Sequence, residues 1–351
     1  MFTPKFTITN KILNNIAKIE AAREVVINAP LVPAWEAKFR QEALIRTVHH
    51  GNHVEGNPLN LAEVKDVLEG KKITARNRDI QEIINYRDVL KFIDGFNKRD
   101  PIDERTILYI HKLTTSKTIS VDQCGHYRLT QVALKNQATG EITFMPPSAR
   151  EVPRLMHDFI FWLNHATNDE LSAILKAAIA NYALNAIHPF IEGNGRTSRA
   201  IATLILYKEG YDIKRFFSLE EYYDRDATRY YDHLQRVSNQ HQELAQRDLT
   251  PWLEYFSEGL AVELQRIKEK VQRLSVDLKL KGKVGQVALN ERQIQLVEYM
   301  ETNGKISNPD FRILFPMVSD DTMLRDLKDL IDKGIVRKKG KTKNAYYELV
   351  H

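Results

Sequence analysis

The sequence predicts a mainly α protein. A helical core carries one short β-hairpin, and a small C-terminal module of three helices and two strands follows. Three observations carry this reading. Apolar residues recur at helical spacing through most of residues 12–274. Strand-like patterns in that region are confined to 131–134 and 141–144, on either side of the turn Asn136-Gln-Ala-Thr-Gly140. A stretch with Lys279, Lys281, Lys283 and two glycines, 276–285, has the composition of a linker, and the pattern changes after it.

The elements follow in order. Apolar stripes predict helices over 12–26, 35–50, Leu61–Leu68, 79–96, 103–114, 150–164, 171–188, 196–209 and 252–274. Asn60-Leu-Ala-Glu63 is an Asx-type capping box, so a helix begins after Asn60. Pro146-Pro147 ends the hairpin, and Gly210 stops the helix before it. Beyond the linker, 291–302, 307–314 and 319–333 are amphipathic, and 335–336 and 345–349 flank the basic turn 337–343. Three helices and a two-stranded wing make a winged-helix domain. The expected domains are an N-terminal helical region over 1–100, a core with its following helices over 101–275, and the winged helix over 286–351.

Composition excludes several classes. Hydrophobic residues make up 43% of the 351, enough for real cores and too many for a disordered chain. Lys+Arg of 51 against Asp+Glu of 46 leaves a net charge of +5, which suits an anionic ligand without requiring nucleic acid. Cys124 is the single cysteine, so there is no internal disulfide and no cysteine cluster for zinc. A reducing compartment, the cytoplasm, is the expected setting. The first twenty residues lack the apolar core of a signal peptide. The longest apolar run, 171–187, contains Lys176, Asn181 and Asn185 and reads as a buried helix, so no membrane association is expected.

The sharpest motif is His188-Pro-Phe-Ile-Glu-Gly-Asn-Gly-Arg-Thr-Ser-Arg199. Pro189 ends one helix near His188, and a new helix starts about Thr197. A glycine-flanked loop feeding a helix N-terminus points backbone N–H groups and a positive dipole end at one spot, an anion site. Gly193 and Gly195 allow close backbone approach. Arg196 and Arg199, three apart, share one side of the new helix, and arginine forks match phosphate oxygens. Glu192 beside them suits a magnesium ion bridging phosphates. His188 is the nearby group that can take a proton at neutral pH. Phe190 is expected to pin the loop to the core.

This string resembles the Fic family signature, H-P-F-x-(D/E)-G-N-G-R-x-x-R, at every specified position. Gly125-His-Tyr-Arg128, the 131–144 hairpin, Tyr230-Tyr-Asp-His-Leu234 and Pro251-Trp252 are similar to other family segments, so the resemblance covers roughly 35–260. It implies a protein adenylyltransferase that moves AMP from ATP to a Ser, Thr or Tyr hydroxyl of a target protein or of itself. His188 would be the general base and Glu192 the magnesium ligand. Gly193, Asn194, Gly195, Arg196, Thr197, Ser198 and Arg199 would bind ATP. Tyr231 and Leu234 are candidates to pack the adenine. The 131–144 hairpin would be a flap that docks the target as an added strand. Removal of AMP from a modified protein, or a nucleotide-sensing DNA-binding regulator, are the alternative functions.

Gly51-Asn-His-Val-Glu-Gly-Asn57 resembles the family's N-terminal inhibitory motif, (S/T)-x-x-x-E-(G/N), in which the glutamate engages the second signature arginine. Here that pair would be Glu55 and Arg199. Gly51 stands where a hydroxyl residue is expected, and glycine should loosen the helix and weaken the brake. His49, His50 and His53 lie nearby, but Gly51 interrupts the pattern and Glu55 is the one acid in sight, so packed or solvated histidines are expected rather than a metal site. In the winged helix, 319–333 carries five aspartates against Arg325, Lys328 and Lys333, while the wing carries Arg337, Lys338, Lys339, Lys341 and Lys343 with no acid among them. The wing could touch a nucleic-acid backbone, whereas the helix is poorly suited to read bases. Docking to a protein, or pairing with a second copy as a homodimer, are the competing roles.

Overall fold

The computed structural model describes residues 2–29, 31, 33–135, 140–166, 171–279, 289–340 and 345–350. The chain packs as two compact units, one formed by Met1–Arg23 and Gln41–Gln265, the other by Glu24–Arg40 and Arg266–His351. Among the described residues the structure is mainly helical, with small antiparallel sheets.

Ahead of the hairpin come α1 (Asn10–Asn28), α2 (Pro33–His53), α3 (Leu61–Leu68), α4 (Asn77–Gly95) and α5 (Glu104–Thr115). Asn60 caps α3 with the full reciprocal box, accepting from Glu63 N while Glu63 returns to Asn60 N. Strands β1 (Leu134–Lys135) and β2 (Ile142–Phe144) pair antiparallel, Leu134 with Phe144, and the register shifts between Leu134 and Lys135. The strands are shorter than expected because a bulge breaks the ladder after one residue. Most of the predicted turn, 136–139, lies outside the described residues.

Next come α6 (Val152–His165), α7 (Ala173–Ile187), α8 (Asn194–Lys208), α9 (Leu219–Arg225), α10 (Ala227–Ser238) and α11 (Thr250–Lys279). Nearly every residue of α7 is buried, which explains why it is apolar on all sides. It forms the floor on which α8 and the preceding loop rest. Helix α11 continues into the segment read as linker, and the rest of that segment, 280–285, lies outside the described residues. No helix among the described residues is long and apolar enough to cross a membrane.

The C-terminal unit contains α12 (Glu291–Asn303), β3 (Ile306–Ser307), α13 (Asn308–Leu314), α14 (Asp320–Asp332), β4 (Val336–Lys339) and β5 (Tyr346–Leu349). Its sheet has three strands, ordered β3-β5-β4, where two were expected. The third, β3, was missed because only Ile306 and Ser307 pair, too short a run for an alternating pattern. Strand β4 also extends to Lys339, into the predicted basic turn, while 341–344 lie outside the described residues. Leu296, Met300, Phe311, Leu327 and Leu330 lie in its core. The wing's charge is not unopposed: Glu348, across the ladder, pairs with Arg337 at 2.7 Å and Lys339 at 3.1 Å. On α14, Asp326 is buried and paired with Arg292, so part of that helix's acidity is structural.

Candidate active site

Helix α7 ends in a left-handed residue, His188, at φ 51° and ψ 57°. A non-glycine residue pays about 1–2 kcal/mol for that conformation, and Pro189 makes a helical continuation worse still. The turn projects the His188 side chain out of the end of α7. Its Nδ1 lies 3.3 Å from the Asn185 carbonyl, so Nδ1–H donates there and Nε2 keeps its lone pair. Burial pushes this imidazole down to about 4, so it is neutral at physiological pH.

The loop after His188 is held by its neighbours. Phe190 is buried and stacks on His111 of α5, with ring centroids 3.7 Å apart and planes within 2°. His111 accepts from Gly125 N at 2.9 Å through Nδ1 and donates to the Glu192 carbonyl at 2.9 Å through Nε2. Arg128 donates Nε to the His188 carbonyl at 2.8 Å and Nη2 to the Pro147 carbonyl, and its own amide bonds the Pro189 carbonyl. Arg128 therefore ties the base of the hairpin to the turn that carries His188. Neither role could be read from the sequence, where these residues lie 60–80 positions from the motif and only a resemblance around Gly125–Arg128 pointed there.

Gly193 takes φ 79° to start α8, and a β-carbon there would meet Thr115 Cγ2 at 2.7 Å. The first-turn amides of Asn194, Gly195 and Arg196 point out of the helix end, the geometry that binds anions. Arg196 and Arg199 are buried beside that end, each with an unpartnered Nε, and the Thr197 hydroxyl is likewise buried without a partner. Arg196 reaches Glu82 at 3.3 Å, Glu192 at 3.6 Å and Asn52 Oδ1 at 3.4 Å. Arg78 also pairs with Glu192.

Two side chains assigned to ATP are used elsewhere. Asn194 accepts from Phe190 N at 3.0 Å and donates to Phe190 O at 2.9 Å, closing the loop on itself. Ser198 is fully buried against α7, accepting from Asn185 Nδ2 at 2.8 Å and donating to Gly195 O. Ser198 lies one residue, about 100° of helix rotation, from Arg199, which puts the two on different faces. The Asn194 side chain thus holds the loop, while its backbone N–H stands at the helix end.

The N-terminal motif reaches the same place. Glu55 Oε1 accepts from Arg199 Nη1 at 2.7 Å, and Arg199 Nη2 donates to the Gly51 carbonyl at 2.8 Å. A β-carbon on Gly195 would overlap the Glu55 carboxylate, so the glutamate sits against the mouth of the anion site. Burial pushes the Glu55 carboxyl up, but Arg199 and Arg196 outweigh it and hold it below its usual range. The expectation for Gly51 needs correcting. Helix α2 runs through Gly51 to His53, and a β-carbon at Gly51 would lie 2.6 Å from Tyr86 Cε1. Glycine lets Tyr86 pack against the helix; it does not interrupt it. Asn57 anchors the following turn, donating to Glu82 Oε2 at 2.9 Å. Tyr231 donates its hydroxyl to the Val54 carbonyl at 2.9 Å, beside Glu55, with its residue still 43% exposed. Leu234 follows on α10 and is half-buried.

Residues 101–206, which hold all of α5–α7 and most of α8, match the model of the Fic/DOC family. That stretch is similar in sequence to a Fic domain. The chain is 28% identical over 249 residues to a protein adenylyltransferase Fic of Culex quinquefasciatus, covering 69% of this chain and 45% of that one. It is 32% identical over 181 residues to the corresponding protein of Drosophila grimshawi, covering 50% and 35%. The chain thus spans less than half the length of these relatives. In fold it resembles a Fic family protein from Desulfovibrio desulfuricans G20, with a TM-score of 0.68 at 22% identity over 99% of this chain and 98% of that one. Within the matched span lie His188 and the whole loop to Arg199. Glu55 reaches this loop from the turn after α2, outside the matched span.

Proposed function

We propose that this chain is a protein adenylyltransferase that transfers AMP from ATP to a Ser, Thr or Tyr hydroxyl of a target protein, or of itself, and that Glu55 restrains it. The observation that carries the reading is the His188–Arg199 turn, which sets a neutral imidazole with a free Nε2 beside a helix N-terminus flanked by two buried arginines. In the reaction the acceptor oxygen attacks the α-phosphorus and the bond from α-phosphorus to the bridging oxygen breaks. Pyrophosphate leaves, and His188 Nε2 takes the hydroxyl proton. The amides of Gly195 and Arg196 face charge developing on the phosphate, with the two guanidiniums behind them.

The residues fit magnesium. Glu192 offers one partly exposed carboxylate, and this ion commonly uses one or two carboxylates with substrate phosphates and water. When bound, the ion neutralises phosphate charge. Arg78 and Arg196 hold the carboxylate meanwhile.

With Glu55 on Arg199, that arginine cannot also grip the γ-phosphate, so ATP binds unproductively. The exposed Ile142 and Met145 and the short bulged ladder suit a flap that accepts an extended target segment as an added strand. Residues 1–100 then form a regulatory region, 101–275 the catalytic core, and 286–351 a winged helix. The pairing of Glu348 with wing cations favours a protein partner or a second copy over nucleic acid. A single buried thiol, Cys124, accords with a cytoplasmic setting. Incubation with ATP labelled on its α-phosphate tests the reading: label should pass to protein and be lost in His188→Ala.

A further inference from the structure

One polar cluster is used by none of this chemistry. His49, His50 and His53 lie on the last turns of α2, and Asp224 faces them from α9. The sequence shows no acid near the histidines except Glu55, because Asp224 is some 170 residues away; the fold supplies it. The Asp224 carboxylate is almost fully buried. Its Oδ2 meets His50 Nδ1 and its Oδ1 meets His53 Nδ1, each at 2.7 Å. The His49 ring lies edge-on to His50, with centroids 4.4 Å apart, and stacks on His53 at 5.4 Å. His49 Nδ1 is buried and has no hydrogen-bond partner. A buried, unpartnered nitrogen on a ring packed against two imidazoles, with a carboxylate bonded to both of them, calls for an explanation.

We propose that His49, His50 and Asp224 form a divalent metal site of the zinc class, and that the ion locks the brake. One ligand atom from each of the three lies within 4.8 Å of the others. Around a tetrahedral zinc with bonds of about 2.0–2.2 Å such atoms sit roughly 3.4 Å apart, so closure needs side-chain movement of about 1 Å. Two imidazoles and a carboxylate suit zinc and leave the fourth position to water. The hydrogen bond between His50 and Asp224 Oδ2 breaks, with His50 neutral and its proton on the ring nitrogen turned away from the ion; Oδ2 turns to the ion while Oδ1 keeps the hydrogen bond from His53, which orients the carboxylate. Magnesium and calcium prefer sets of oxygen ligands, which this cluster does not offer.

The regulatory half rests on the reading of Glu55 as a brake. Glu55 follows His53 by two residues. The turn between them is built on α2, with Glu55 N bonded to Asn52 O and Gly56 N to His53 O. An ion joining α2 to α9 fixes the turn that presents Glu55 to Arg199, so zinc should deepen inhibition.

Equilibrium dialysis of the full chain with zinc chloride tests the site without reference to activity. Wild type should bind one equivalent that Asp224→Asn and His49→Gln both lose, with each variant's fold checked by circular dichroism. If Asp224→Asn misfolds, His49→Gln, which removes the unpartnered Nδ1 together with the ring, carries the test. At 100 times its Kd, zinc should shift the folding equilibrium of wild type about 100-fold, seen as a raised thermal midpoint absent in His49→Gln. Zinc binding that is absent in wild type, or unchanged in both variants, overturns the site. Auto-modification then tests the link. Zinc should slow wild type severalfold and leave Glu55→Gly unaffected. Equal slowing of both, or no slowing of wild type once one equivalent is bound, overturns the link while the dialysis result keeps the site.

Discussion

Replacing Glu55 by glycine should destabilise the free protein and activate it at once. The Arg199 side chain is 1% exposed, and its charge is met by one carboxylate and one carbonyl. Breaking a buried pair by removing one partner costs about 3–5 kcal/mol. Glu55 is 29% exposed on its side chain, so water reaches the pair and a loss of about 2–3 kcal/mol is the better figure. At roughly 2–4 °C per kcal/mol for a unit of this size, the midpoint of the first unit should fall by about 5–10 °C. ATP returns an anion to Arg199, so it should raise the midpoint of Glu55→Gly more than that of wild type. Activity moves the other way. A charge-assisted hydrogen bond contributes about 1.5–3 kcal/mol, which places the braked state about 10- to 150-fold above the released one. Transfer should rise by about that factor. Because α2 runs through Gly51, which packs on Tyr86, an interrupted helix is no longer a reason to expect a gain at the low end of this range. The assay is auto-modification with ATP labelled on the α-phosphate, with Glu55→Gln as the isosteric control and differential scanning fluorimetry alongside. A variant that is as stable as wild type and no more active would refute the reasoning. A fall in transfer would instead give Glu55 a direct catalytic part, as removal of AMP requires.

Other expectations follow from the same geometry. His188→Ala should lower transfer by roughly 10²–10⁴-fold and leave ATP affinity, by calorimetry, nearly unchanged, since Nε2 serves the acceptor and not the phosphates; a large loss of affinity would contradict this. Asn194→Ala should cost about 1–3 kcal/mol of stability, because both Phe190 backbone groups lose their partner, and should lower activity through a loosened loop; activity loss at full stability would return Asn194 to direct phosphate contact. Burial pushes His111 down to about 4 from 6.5, and its Nδ1 must stay unprotonated to accept from Gly125. As pH falls the unfolded chain takes up the proton first, so the stability His111 contributes is complete above about 6.5 and lost between there and 4. His111→Gln should flatten the midpoint-against-pH curve in that window, and an unchanged slope would count against the assignment.

What the sequence made legible was local. The capping box at Asn60 and the all-round apolar helix 171–188 depend on neighbours within a few residues, and both appear as read. The Glu55–Arg199 pair spans 144 positions and was found only because two motifs match one family; nothing in either segment alone predicts the contact. The remaining parts were hidden for physical reasons. His111 and Arg128 act on backbone carbonyls, which leave no pattern in side-chain chemistry. Ser198 and Arg199 are neighbours in sequence but lie on different faces of α8. Gly51 looked like a helix breaker because its justification, the Tyr86 ring, lies 35 residues on in another helix. Asp224 joins the histidines of α2 only through tertiary packing, and two-residue strands such as β3 carry no periodicity to detect.

The central claim is that His188 and the loop to Arg199 transfer AMP under the control of Glu55. Intact-mass spectrometry tests it most directly, on the purified full chain after incubation with ATP and magnesium, for wild type, Glu55→Gly and the double variant Glu55→Gly, His188→Ala. The account predicts a mass increase of one AMP, slight in wild type, abundant in Glu55→Gly and absent in the double variant. An adduct that survives the loss of His188 would contradict it, as would a folded Glu55→Gly protein that binds ATP and gains no AMP on itself or on any added lysate protein.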